Sequence, residues 1–149
     1  MASQAYEIRG YGIQFDSECG MDTDVERVQN LLEYAPKYRA IIEDTFRERG
    51  LVGDDIYLED YEGFEMDDYC GIPSVLAKVI REAEGIYMEA ASDDNGIVYL
   101  FLCACMPWQN NERERNLTQE ELNAILRKYW HILYDKDVNI DSVSIHQYS

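Results

Sequence analysis

The chain of 149 residues carries 13 Lys+Arg against 30 Asp+Glu, a formal net charge of −17. That balance argues against direct contact with DNA, RNA or an anionic membrane, which need basic surface. With 46% hydrophobic residues, 12% aromatic residues and only 3 Pro, it does not have a disordered composition, and a single acidic domain over residues 1–149 is expected.

In chain order, residues 6–15 read as a first strand. Tyr6 and Ile8 keep one phase, Ile13 and Phe15 the other, with Gly10 and Gly12 between, which predicts a bulge. Thr23 and Glu26 form a capping box for a helix with Val25, Val28, Leu31 and Leu32 as its stripe, and Pro36 ends it. A second helix over 37–49 places Tyr38, Ile41, Ile42, Thr45 and Phe46 on one face and stops at Gly50. Residues 53–71 read as irregular and acidic, with a short strand at 56–58. Ser74 caps a third helix that runs to Gly85.

A hairpin follows, with strands at 86–91 and 97–106 flanking Asp93-Asp94-Asn95-Gly96. The second of these strands is apolar on both faces, so it belongs in the sheet centre. Residues 109–116 read as a polar loop. Thr118 and Glu121 box the start of a fourth helix, with Leu117 and Leu122 as its hydrophobic staple. Residues 138–148 are the last strand. The order β-α-α-(β)-α-β-β-α-β predicts an α+β domain with a mainly antiparallel sheet, about four helices and helices on one face.

Residues 1–7 have neither a basic start nor an apolar run, so no secretory signal is read there, and the longest apolar run, 96–107, is short for a bilayer. A cytoplasmic protein with free thiols is expected. The glycosylation-like Asn116-Leu117-Thr118 would be silent there.

Residues that carry chemistry are sparse. No phosphate loop or dinucleotide fingerprint occurs. Cys103, Cys105, His131 and His146 could converge as soft ligands on zinc, but the Cys-x-x-Cys knuckle is missing and a central strand places the thiols in the core, so small buried thiols packing as hydrophobes is the preferred reading. A Cys/His hydrolase would need a thiolate held by an imidazole, and the spacing selects no cysteine for it. Residues 16–24 are rich in oxygen donors but lack the glycine and final glutamate of an EF-hand. So many acids make any carboxylate pair uninformative as a glycosidase signature. No enzyme, metal or cofactor is expected.

The acid is concentrated. Residues 51–72 hold Asp54, Asp55, Glu59, Asp60, Glu62, Glu65, Asp67 and Asp68 without a single Lys or Arg, and Tyr57, Tyr61, Phe64 and Tyr69 are interleaved. A solvated, solubilising loop is one reading. The other is imitation of a nucleic-acid backbone. Alternate strand residues lie about 6.6–6.8 Å apart and helical neighbours about 5–6 Å. DNA carries a charge about every 3.4 Å along each strand, so such carboxylates can match a subset of phosphates. Tyrosines supply contact area at interfaces.

The run Asp54-Asp55-Ile56-Tyr57-Leu58-Glu59-Asp60-Tyr61-Glu62-Gly63-Phe64 resembles the acidic motif of the ArdA antirestriction proteins. There, an acidic pair, an apolar strand and an Asp-Tyr-Glu-Gly-Phe-like run occur in this order. The following Asp67-Asp68-Tyr69 and the apolar helix over 74–84 are also similar, so the likeness covers about residues 50–85. It implies a plasmid- or transposon-borne DNA mimic that occupies the DNA groove of restriction-modification enzymes. Size and charge are also similar to small acidic anti-CRISPR proteins. The expected partner is therefore a basic nucleic-acid-binding protein, a restriction enzyme or CRISPR nuclease. The expected contacts are Asp54, Asp55, Tyr57, Glu59, Asp60, Tyr61, Glu62, Glu65, Asp67, Asp68 and Tyr69. An immunity-type module that neutralises a basic toxin would use the same electrostatics.

Overall fold

A computed structural model describes residues 5–15, 23–64, 70–103 and 111–148, with only the backbone of 5, 6 and 148. Strands are β1 (Ala5–Phe15), β2 (Met88–Ser92), β3 (Val98–Cys103) and β4 (Ile140–Tyr148). Helices are α1 (Val25–Leu32), α2 (Pro36–Glu48), α3 (Leu58–Phe64), α4 (Ile72–Glu84), α5 (Glu112–Asn116) and α6 (Gln119–Leu133). The sheet order is β2-β3-β1-β4, every neighbour antiparallel. This is an α+β fold, with β3 central as its two apolar faces require. The described residues form six helices rather than four. The two short ones, α3 and α5, stand in the stretch expected to be irregular with a short strand at 56–58 and in the expected loop.

One face of the sheet packs on the helices. Ile13, Phe15, Met88, Leu100 and Ile140 share a core cluster with Val28, Leu31, Ile42, Phe46, Leu76, Ile80, Leu126 and Tyr129. The opposite face has a second, strand-only cluster of Tyr99, Phe101 and Ile145, flanked by Ile8, Ala91, Ile97, Cys103 and Val143. This explains the phase change in β1 without a bulge. Tyr11, Ile13 and Phe15 face the helices, Ile8 faces the second cluster, and the register to β3 and β4 runs without a skipped residue. Gly10 and Gly12 lie on the second face, where the Phe101 ring and the β3 backbone press against β1. A Cβ on Gly12 would stand 2.0 Å from the Leu100 carbonyl oxygen, and one on Gly10 2.6 Å from Phe101 Cδ2.

The sheet curls over that second face. Asp94 donates its N–H to the His146 carbonyl at 3.3 Å, and Gln147 Nε2 donates to the Ser92 carbonyl at 2.8 Å. These bonds join the end of edge strand β4 to the β2–β3 turn, although β3 and β1 lie between them in the sheet. The curl encloses Phe101 at 1% and Ile145 at 0% exposure. The turn itself is a tight one closed by Gly96 at φ 82°, with Gly96 N–H on the Asp93 carbonyl and the Asp93 side chain accepting from Asn95 and Ile97.

Helix starts differ from expectation in instructive ways. Asp24, not Thr23, caps α1 by accepting from the Arg27 N–H at 2.9 Å, and Thr23 is buried. Arg27 then reaches the Leu133 carbonyl and Asp135, tying α1 to the end of α6. Helix α4 starts at Ile72 behind Gly71, with Pro73 in the first turn where no N–H is needed, so Ser74 lies inside the helix and is not its cap. Thr118 caps α6 as expected, accepting from the Glu121 N–H at 3.1 Å. On α2, Tyr38, Ile42 and Phe46 are buried, but Ile41 is 58% exposed because it sits at the edge of that stripe.

Helix α2 has no cap from its own sequence. Its N-terminus is satisfied from α4: the Glu82 carboxylate accepts from the Lys37 and Tyr38 N–H groups at 3.0 and 2.9 Å. This arrangement combines a cap with a charge at the positive helix end. Glu82→Ala is expected to destabilise the fold by about 1–2 kcal/mol, read as a lower urea midpoint with an unchanged slope. Glu82→Gln should recover only part of it.

Candidate functional site

Residues 53–55 form a single 3-10 turn, and α3 follows after two residues. The expected strand at 56–58 is absent because its apolar residues are anchors. Ile56 and Leu58 are partly buried against the main core. Asp60 accepts from the Tyr57 N–H at 2.8 Å, which fixes the start of α3. Tyr61 is 3% exposed and packs edge-on against Phe46 with ring centres 5.1 Å apart, while Phe64 meets both Phe46 and Tyr38. Burial pushes the Tyr61 hydroxyl up, opposed by a hydrogen bond with Gln29. Tyr61 therefore cannot serve as a partner contact; its ring belongs to the core. Two of the four interleaved aromatics hold the acidic unit onto the body.

Asp54, Asp55 and Glu59 are exposed, as is Tyr57 at 64%. None of these three acids forms an ion pair or hydrogen bond among the described residues. Glu62 is half-buried. Partial burial, and then repulsion from Glu59, raises its carboxyl above the ordinary carboxylate range. Glu65, Asp67, Asp68 and Tyr69 lie outside the described residues. The turn and the start of α3 thus leave Asp54, Asp55, Tyr57 and Glu59 exposed within six residues, a short acidic ledge. Strand spacing does not apply to it, because its residues lie in a 3-10 turn and at the start of α3.

Glu62 takes up its proton more readily in the fold than in the unfolded chain, so ionising it costs stability, in full above the raised folded value. The cost fades as pH falls toward the unfolded value. Glu62→Gln is expected to raise stability at pH 7 by less than about 1 kcal/mol. Its advantage should shrink as pH falls through the ordinary glutamate range and vanish only well below it, where both states of the wild-type side chain are protonated. Melting curves across pH 3.5–7 check this.

The other candidate groups do not converge. His131 Nδ1 lies 3.2 Å from the Tyr134 carbonyl, and its Nε2 lies 3.7 Å from Asp137 at the end of α6. His146 is exposed on β4, Cys103 faces the second cluster, and Cys105 lies outside the described residues. Among the described residues no group of three or more His, Cys, Asp or Glu could hold a metal ion. Of residues 16–24 only Thr23 and Asp24 are described, and Asp24 is occupied as a cap. No described helix is long and apolar enough to cross a membrane.

Two polar clusters were missed in sequence. Glu84 accepts from the Tyr129 hydroxyl and pairs with Arg113 at 3.2 Å and Lys128 at 3.9 Å, while Lys128 also lies over the Tyr34 and Tyr129 rings. Burial and the Glu84 carboxylate raise the Tyr129 hydroxyl strongly. Glu114 on α5 is buried and accepts from the Tyr87 and Asn111 N–H groups at 2.6 and 2.8 Å. The first cluster binds α5 and α6 to the end of α4, and the second binds α5 to the chain just after α4. The sequence signal that could have disclosed the second is Asn111-x-x-Glu114, a capping box inside the stretch read as a loop. Compared with protein-family models, curated proteins and solved structures, the chain matches none.

Proposed function

We propose that this protein is a non-enzymatic, cytoplasmic inhibitor that imitates nucleic-acid phosphates and blocks a DNA- or RNA-binding defence enzyme, in the manner of the antirestriction and anti-CRISPR proteins of phages and mobile elements. The observation that carries this reading is the ledge: Asp54, Asp55 and Glu59 are exposed, without cationic partners among the described residues, on a unit that Ile56, Leu58, Tyr61 and Phe64 anchor in the core. Holding the carboxylates on a fixed backbone lowers the ordering cost of docking. They pair with Arg and Lys that otherwise grip phosphates, and Tyr57 adds contact area. The resemblance of residues 54–64 to the ArdA motif supports the same reading.

Affinity capture from lysates containing restriction and CRISPR enzymes tests it. The retained protein is expected to be a nucleic-acid enzyme whose DNA or RNA competes for the same site. Affinity should fall steeply between low and moderate salt. Converting Asp54, Asp55 and Glu59 together to amides should weaken binding by about tenfold or more without unfolding the protein, because these side chains support no described contact. Salt-independent binding, an unchanged affinity of the triple variant, or retention of a basic toxin instead would overturn the mimic reading.

A further inference from the structure

The β2 edge of the sheet carries a feature unrelated to the acidic ledge. In the β2–β3 ladder, Asp93 donates its N–H to the Ile97 carbonyl at 2.9 Å, so the pairs at 93, 91 and 89 are the hydrogen-bonded ones. The main-chain groups of Met88, Ala90 and Ser92 therefore point away from β3. Met88 uses its N–H on the Ile86 carbonyl, and its carbonyl accepts from Arg81 Nε. The Ser92 carbonyl accepts from Gln147. The N–H and C=O of Ala90 have no partner among the described residues.

Ala90 opens onto a groove of about 200 Å3 between β2 and α4, lined by Ser74, Ala77, Lys78, Arg81, Glu89 and Ala90. Arg81 stands at the Met88 end with its guanidinium 4.2 Å above the exposed Tyr87 ring. It has no carboxylate within ion-pairing distance among the described residues, in a chain with more than twice as many acids as bases. Its terminal nitrogens are thus available.

We propose that this groove receives an extended segment of a partner protein, added as a short fifth strand on β2, with an Asp or Glu side chain opposite Ala90. The occupant follows from pleat and charge. A residue that exchanges both main-chain hydrogen bonds with Ala90 projects its side chain to the same face as Ala90. That face is the helix side, because Ala90 packs against the main core. The side chain therefore enters the groove beside Arg81, which can take a carboxylate in fork geometry. Glu89 borders the groove, but its side chain alternates to the other face of the pleat. Uncovered sheet edges are where strand addition occurs.

The test uses the full chain labelled with 15N and synthetic ten-residue peptides of alternating Thr and Val with Glu, Gln or Lys at a central position. The Glu peptide is expected to shift the Ala90 and Ser92 amide resonances and to slow exchange of the Ala90 amide. Affinity should fall by about tenfold or more for the Lys peptide and for Arg81→Gln. It should fall similarly when the peptide's central residue is N-methylated, a change that leaves the protein untouched. No response at Ala90, equal binding of the Glu and Lys peptides, or binding indifferent to N-methylation overturns the proposal. So does protection of the Ala90 amide that rises with protein concentration, which would assign the edge to a second copy of the chain.

Discussion

Gly12→Ala is expected to cost about 3 kcal/mol or more, a large fraction of the total stability of an ordinary domain. The new Cβ would lie 2.0 Å from the Leu100 carbonyl oxygen and 2.7 Å from the Phe101 Cα. Those are main-chain atoms of the neighbouring central strand, so no side-chain rotation relieves the clash. Relief requires β1 and β3 to separate where they pair at Gly12 and Phe101, and this loosens the curl that encloses Phe101 and Ile145. Equilibrium urea unfolding and amide exchange of β1 and β3 would show it as loss of protection centred on that pair. Gly96→Ala is the control. Gly96 has positive φ but open space around its Cβ position, so alanine there should cost only about 1 kcal/mol, through strain in the left-handed region. Equal costs at the two positions would refute the close-approach account of Gly12.

Glu114→Ala is expected to cost about 2–3 kcal/mol. The carboxylate is buried and serves two main-chain donors, Tyr87 and Asn111, from elements far apart in sequence. Truncation leaves both N–H groups without an acceptor, and unmade bonds at buried groups cost more than made ones gain. Asn111 holds the reciprocal half, accepting from the Glu114 N–H at 2.8 Å and donating to the Gly85 carbonyl. The double variant with Asn111→Ala should therefore lose less than the sum of the two singles. Faster exchange of the Tyr87 amide is the local signature. A stability change within about 0.5 kcal/mol of wild type, as at ordinary surface sites, would show that water substitutes for the carboxylate.

The two expected losses mark where sequence reasoning succeeds and fails. Elements built on local pattern were legible: the β2–β3 hairpin from Asp93-Asp94-Asn95-Gly96, α6 from Thr118 and its apolar stripe, and α2 from Tyr38, Ile42 and Phe46. These depend on neighbours within a few residues, so the chain encodes them directly. Helix α3 was missed because its acids masked its anchors. Tyr61 and Phe64, read as surface aromatics, find Phe46 and Tyr38 on α2. The β1 phase change was read as a bulge because only the curled sheet supplies a second apolar cluster for Ile8.

The charge imbalance, its concentration in 51–72 and the α+β class were determined by the sequence alone, since composition and period-based patterns need no partner. Tertiary structure decided which of those charges face outward together. It selected Asp54, Asp55 and Glu59, with Tyr57, and withdrew Tyr61 into the core. It also left Ala90 open beside Arg81. Both outcomes depend on packing between residues distant in sequence, where burial energy overrides local preference, so no pattern within either segment could have disclosed them.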